Sequence, residues 1–132
     1  MGNPAMRAIG IDLGTTYSAL AAVDDVGHAS VVHNSDGQST TPSVVLFDGA
    51  DALVGQQAKL QRAAFPDDVV EFVKRQMGNP SWRHFDRAGG EHTPESVSGI
   101  ILRRLAADAA MVLGEPVREV VITVPAYFDE TQ

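Results

Sequence analysis

The chain has 132 residues, 44% of them hydrophobic and 20% charged, which suits one compact soluble domain. Its formal net charge of −7 argues against nucleic acid or an anionic membrane as a partner, since both recruit clustered Lys and Arg. It contains no cysteine, which excludes disulfides and thiolate metal sites, and no apolar run approaches the roughly 18 residues of a membrane span.

The N-terminus carries no basic stretch leading into an apolar one, so the expectation is no secretory signal and a cytoplasmic location. Met6 offers a second start, and residues 1–6 read as an N-terminal extension. Residues 7–13 are apolar and β-branched and stop at Gly14, which predicts a largely buried strand. A second apolar run follows at 17–23, and the short Gly-containing connection predicts a β-hairpin. Asp24, Asp25 and Gly27 form the next turn, before a third strand at 29–33. Residues 34–42 are rich in Asn, Ser, Asp, Gly and Thr and read as a loop. A strand at 43–47 turns at Asp48-Gly49 into another at 52–54.

Residues 56–64 hold good helix formers and end before Pro66. Asp67-Asp68 reads as a turn boundary. Residues 69–77 fit a strand or a helix, and Gly78-Asn79-Pro80 ends them. Residues 81–92 show no period and include Gly89-Gly90, so a loop is expected, with Trp82 and Phe85 covering a small core. His28, His33, His84 and His92 have no metal-ligand spacing and read as surface or turn residues. The clearest helix starts at Thr93, a suitable cap, with Pro94 at its first position and Glu95 at the positive end of the dipole. Val97, Ile101, Leu105, Ala109 and Val112 recur every three or four residues as one apolar stripe, and Gly114 closes the helix. Residues 119–124 form a continuous apolar strand, expected to be buried on both faces and stopped by Pro125, with a further helix starting near Asp129. A helical crossover makes a parallel neighbour, so the fold class is α/β with a mixed sheet. The strand at 7–13 lies near its centre, with 120–124 parallel beside it.

Between the first two strands runs Asp12-Leu13-Gly14-Thr15-Thr16-Tyr17. Gly14 lets the backbone bend tightly and come close to a ligand. The amides of Thr15, Thr16 and Tyr17 can then form a concave anion nest, and the two threonines add hydroxyl donors. Asp12 has the wrong sign for a phosphate, but fits a hydrated cation that neutralises phosphates, or a water that it orients. The same residues also make an ordinary hairpin turn. The stretch is neither a Walker loop nor a Rossmann fingerprint, because it lacks the Gly-Lys-Ser/Thr run and a strand follows the glycine.

The run from Ile9 to Ser18 resembles the first phosphate motif of the DnaK-type chaperones, the heat-shock protein 70 class, and related motifs occur across actin-like ATPases and sugar kinases. Three further segments narrow the likeness. Thr40-Thr41-Pro42-Ser43 is similar to the family's Thr-Thr-Pro-Ser segment. Val73-Lys74-Arg75 with Gly78 resembles its catalytic-lysine segment. Gly114 to Val117 with Val121 to Phe128 is close to a family signature. The matches span nearly the whole chain, in the family's order.

The resemblance implies an actin-like (ribonuclease H-like) ATPase fold, first lobe only. The lower subdomain would comprise residues 7–41 and 117–132, and the upper subdomain residues 42–116. The upper subdomain is expected to be shortened, because the stretch between Trp82 and Thr93 is brief. The resemblance also implies ATP/ADP and Mg²⁺, with K⁺ as a further cation, and slow ATP hydrolysis coupled to binding of unfolded polypeptides. A J-domain co-chaperone and a nucleotide exchange factor are the implied partners of the parent protein, in a stress response. Residue by residue, Asp12 would serve the cation site through water or potassium. Gly14, Thr15, Thr16 and Tyr17 would contact phosphate. Lys74 would position the attacking water. Pro125 and Arg75 would belong to an interdomain relay. The stop at Gln132 leads to two expectations: little ATPase activity from this piece alone, and self-association through an uncovered strand at 120–124. A sugar-kinase fragment and a non-catalytic assembly module are the alternatives.

Overall fold

The structure, a computed structural model, describes residues 8–24, 26–117 and 119–123. Strands β1 (Ala8–Asp12) and β2 (Tyr17–Val23) form the expected antiparallel hairpin, with Asp12 opposite Ala19. The far side of β2 is shared. Its C-terminal half pairs with β3 (Ala29–Val32), and its N-terminal residues pair with β4 (Thr40–Pro42), so part of the expected 34–42 loop is a strand. Asn34 makes this possible. Its Nδ2 donates to Thr40 O at 3.2 Å and Thr41 Oγ1 at 2.9 Å, and its Oδ1 accepts the Asp36 and Gln38 amides, each at 2.9 Å.

On the other side of β1 lies β10 (Glu119–Thr123), parallel and in register from Ala8–Glu119 to Asp12–Thr123. The mixed sheet and its central first strand are as expected. The burial of β10 is not: all five of its residues are exposed, because among the described residues it pairs with β1 alone. Val124, Pro125 and the helix start expected at Asp129 lie outside the described residues.

A second antiparallel sheet is built from β5 (Val45–Asp48), with β6 (Asp51–Val54) on one side and β7 (Val69–Val70) on the other. β5 is buried on both faces. Val45 and Phe47 join the main core, while Leu46 packs with Val44 and Ala58 in a second cluster. Ala58 belongs to α1 (Gln56–Leu60), shorter than the expected 56–64 helix. Gly55 offers no side-chain cap, Ala58 is the helix's buried residue, and the Gln61 amide already turns back to Ala58 O at 3.1 Å. The ambiguous 69–77 stretch resolves into both readings, β7 followed by a 3₁₀ helix at Val73–Gln76.

Residues 81–92 are not simply a loop. β8 (His84–Phe85) and β9 (Glu91–His92) make a small hairpin whose turn is closed by Asp86, through Gly90 N to Oδ1 at 2.7 Å. His28 and His33 are exposed, as expected, whereas His84 and His92 are half-buried in this hairpin. Both rings stack on Phe47, with centroids 5.0 Å away for His84 and 4.2 Å for His92, and the two imidazoles lie 6.2 Å from each other. Phe85 is 65% exposed and covers nothing, whereas Trp82 packs on the main core.

α2 (Pro94–Leu113) begins with the expected cap, where Thr93 Oγ1 accepts the Ser96 amide at 3.1 Å and Ser96 Oγ accepts the Thr93 amide at 2.9 Å. It ends at Gly114, whose φ of 73° is the left-handed closure that glycine allows. Val97, Ile101, Leu105 and Ala109 are fully buried against both sheets, while Val112 has rotated out to 50% exposure.

Candidate functional site

The turn between β1 and β2 holds Asp12, Gly14, Thr15, Thr16 and Tyr17 together, as the spacing predicts. A Cβ on Gly14 would lie 2.0 Å from the Tyr17 carbonyl oxygen, so no other residue fits without moving backbone. The amides of Gly14, Thr15 and Thr16 have no protein acceptor among the described residues. Unpaired donors at a tight bend are what an anion requires, and here they point to one short stretch of chain. Thr15 is half-buried and Thr16 exposed, so the turn is open to a ligand.

What holds the turn in this shape comes from a distant segment. Ser43 Oγ donates to Gly14 O at 2.9 Å, and the Ser43 amide donates to Thr16 O at 2.9 Å. Ser18 Oγ lies 2.8 Å from Ser43 Oγ, and because the Ser43 proton is used on Gly14, Ser18 is the donor. Both serines are buried, at 1% and 2% exposure, so this hydroxyl chain has no competition from water. The Thr-Thr-Pro-Ser segment therefore acts as the buckle of the turn. The signal was present in the sequence only as a resemblance, with no spacing to announce it.

Asp12 ends β1 beside Thr123, whose hydroxyl donates to Asp12 Oδ1 at 3.1 Å. The exposed carboxylate keeps Oδ2 uncommitted among the described residues. Tyr17 is 46% exposed, and its hydroxyl accepts from Lys59 Nζ at 2.8 Å. That hydrogen bond, followed by the charge of Lys59, holds the Tyr17 phenol below its ordinary range.

A cleft of about 110 Å³ opens beside the turn, lined by Thr15, Thr16, Lys59, Arg62, Glu71 and Phe72 among others. Phe72 has φ 56° and ψ 30°, a left-handed conformation rare for a bulky residue, and it launches the 3₁₀ helix that carries Lys74 and Arg75. Lys74 is half-buried and makes no ion pair among the described residues, but it does not line this cleft. Arg75 is exposed, its guanidinium 4.8 Å from the Phe72 ring centroid. Pro125 lies outside the described residues. The described geometry thus unites the turn residues and adds Ser43, Thr123 and Lys59, which no local spacing in the sequence marks.

A family model described as Hsp70 protein matches residues 8–132, all but the first seven positions. The chain belongs to the Hsp70 family. Membership brings the actin-like ATPase fold, and the mixed sheet with its hairpin turn and parallel neighbour is the part of that fold described here. Hsp70 proteins are chaperone ATPases that bind ATP and ADP with Mg²⁺. The turn is chemically suited to that ligand: unclaimed amides and two hydroxyls for phosphate oxygens, and a carboxylate with a free oxygen for a hydrated cation. The match leaves the sugar-kinase alternative without support.

Proposed function

We propose that the chain is the nucleotide-binding part of a DnaK-type Hsp70 chaperone ATPase, with the turn at Gly14 to Tyr17 as the seat of the phosphates. The observation that carries this reading is the set of amides at Gly14, Thr15 and Thr16 that find no protein acceptor among the described residues, in a bend that a Cβ would break. Asp12 serves a cation through water or a potassium ion, or orients water itself. Lys74 positions the water that attacks the γ-phosphorus in line as the bond to the bridging oxygen breaks, and its ammonium offsets charge on the transferring oxygens. Mg²⁺ bound with the nucleotide neutralises phosphate charge. The ammonium of Lys74, which makes no ion pair among the described residues and stands on a helix that starts at the cleft wall, supports that role.

The lower subdomain comprises residues 7–41 and 117–132, after a short extension at 1–6. The upper subdomain comprises residues 42–116 and is shortened at the β8–β9 hairpin, where a turn closed by Asp86 takes the place of longer strands. Arg75, stacked on Phe72, and Pro125 belong to a relay that couples nucleotide state to binding of unfolded polypeptides. The parent protein works in the cytoplasm under stress with a J-domain co-chaperone and a nucleotide exchange factor. These 132 residues turn over little ATP alone, since the cleft beside Thr15 and Thr16 holds about 110 Å³, short of the roughly 300–1,000 Å³ of a ligand pocket.

Calorimetric titration with Mg-ATP tests the reading. A saturable heat that Gly14→Ala abolishes is the expected result. A chain that gives no heat at millimolar nucleotide is an assembly module instead.

A further inference from the structure

Two cations line the cleft beside Thr15 and Thr16, and they are used differently. Arg62 Nη1 meets Glu71 Oε1 at 3.0 Å, so its charge is matched. Lys59 meets a neutral partner, the Tyr17 hydroxyl at 2.8 Å, and no carboxylate pairs with it among the described residues. An ammonium has three donors, so two remain after Tyr17 is served. The placement is fixed from behind: Ala58, one residue earlier, is fully buried and anchors α1 in the second cluster. The half-buried Lys59 thus stands beside the phosphate turn as an unmatched positive charge in a chain whose net charge is −7. Such a charge, lining the same cleft as Thr15 and Thr16, attracts an anion seated there.

We propose that Lys59 is a positioning cation for the nucleotide's polyphosphate: it fixes the Tyr17 end of the turn through the phenol oxygen and presents its remaining donors to the anion seated at Thr15 and Thr16. The inference rests on the nucleotide reading above and deepens it. It assigns to the upper subdomain a residue that reaches into the phosphate site, so that a shift of α1 relative to the β1–β2 hairpin changes the charge facing the ligand. A plain staple between α1 and the turn would need the hydrogen bond but not the charge. The two roles separate experimentally.

The test is calorimetric titration of the full 132-residue chain with Mg-ADP, comparing wild type, Lys59→Met and Lys59→Arg, with thermal unfolding of each and an absorbance titration of the tyrosines. Lys59→Met is expected to weaken Mg-ADP about tenfold, the scale of one lost charge-assisted hydrogen bond. Lys59→Arg restores most of the affinity, and both variants unfold near the wild-type temperature. The tyrosine titration moves up in Lys59→Met, which certifies that the Lys59–Tyr17 contact exists in solution. Unchanged Mg-ADP affinity in Lys59→Met, with the tyrosine shift present, reduces the lysine to a staple and overturns the proposal. Equal losses in Lys59→Met and Lys59→Arg overturn it too, since charge is then not what matters. A wild-type chain that fails to bind Mg-ADP defeats the nucleotide reading itself, an outcome distinct from either.

Discussion

Removing the Ser43 hydroxyl strands two groups at once, the buried Ser18 hydroxyl that it accepts from and the Gly14 carbonyl that it donates to. The Ser18 hydroxyl, 1% exposed, is left without its buried partner, so Ser43→Ala is predicted to lower stability by about 1–3 kcal/mol in urea denaturation. It should also weaken Mg-ADP, because the turn loses the bond that fixes Gly14. An unchanged unfolding midpoint would count against the buckle. Gly14 itself was legible in the sequence, since a glycine between two apolar runs announces a bend. Ser43, at 29 residues' separation, and Lys59, at 42 from Tyr17, were not. Their roles depend on which strands pair, and pairing across a gap leaves no local mark.

At the scale of elements, legibility follows the same division. α2 was readable because its cap, its stripe and its closing glycine are all local, and only Val112 departs, turned to solvent while Leu113 packs on the core. The β8–β9 hairpin was not readable, because two-residue strands have no period and this pair is held by rings stacking on Phe47 of β5. That stack carries a pH dependence. His84 Nε2 is buried with no partner among the described residues, and burial, then the neighbouring His92, push the His84 pKa below its ordinary 6.5, with Asp86 and Asp68 opposing. Folded His84 therefore stays neutral where the unfolded chain already binds a proton. Its contribution is complete above about pH 6.5 and declines as pH falls towards the depressed value. Asp86 is shifted down by its hydrogen bond from His92 and by the Gly90 amide, so its share disappears only in stronger acid, below its ordinary 3.8. Thermal unfolding followed from pH 7.5 to about pH 5 should show a falling Tm in wild type and a flatter profile in His84→Leu. Parallel profiles would mean that His84 is solvated.

The whole molecule joins two sheets through one core. Ile9 and Ile11 of β1, Val45 and Phe47 of β5, and the buried face of α2 share a single cluster, so the phosphate turn and the upper sheet are mechanically connected. The mixed sheet, its central first strand and its parallel neighbour could all be read from the order of apolar runs. The exposure of β10 agrees with the expectation of an uncovered strand at 120–124 and departs from the two-sided burial that its continuous apolar run signals. Val120, Val121 and Ile122 are 40%, 60% and 40% exposed on a strand paired on one side among the described residues. We expect this edge to draw chains together, giving a mass in light scattering that rises with concentration, and Val121→Lys to suppress the rise. A constant monomer mass for the wild-type chain would refute that expectation.

Nucleotide binding by this chain depends most on the amides of the β1–β2 turn receiving phosphate. Backbone amide NMR during a Mg-ADP titration reads those groups one by one. The predicted result is saturable shifts that are largest at Gly14, Thr15, Thr16 and Tyr17, with smaller ones at Lys59 and Ser43. A spectrum in which these amides stay fixed while others move, or in which nothing moves, would contradict it.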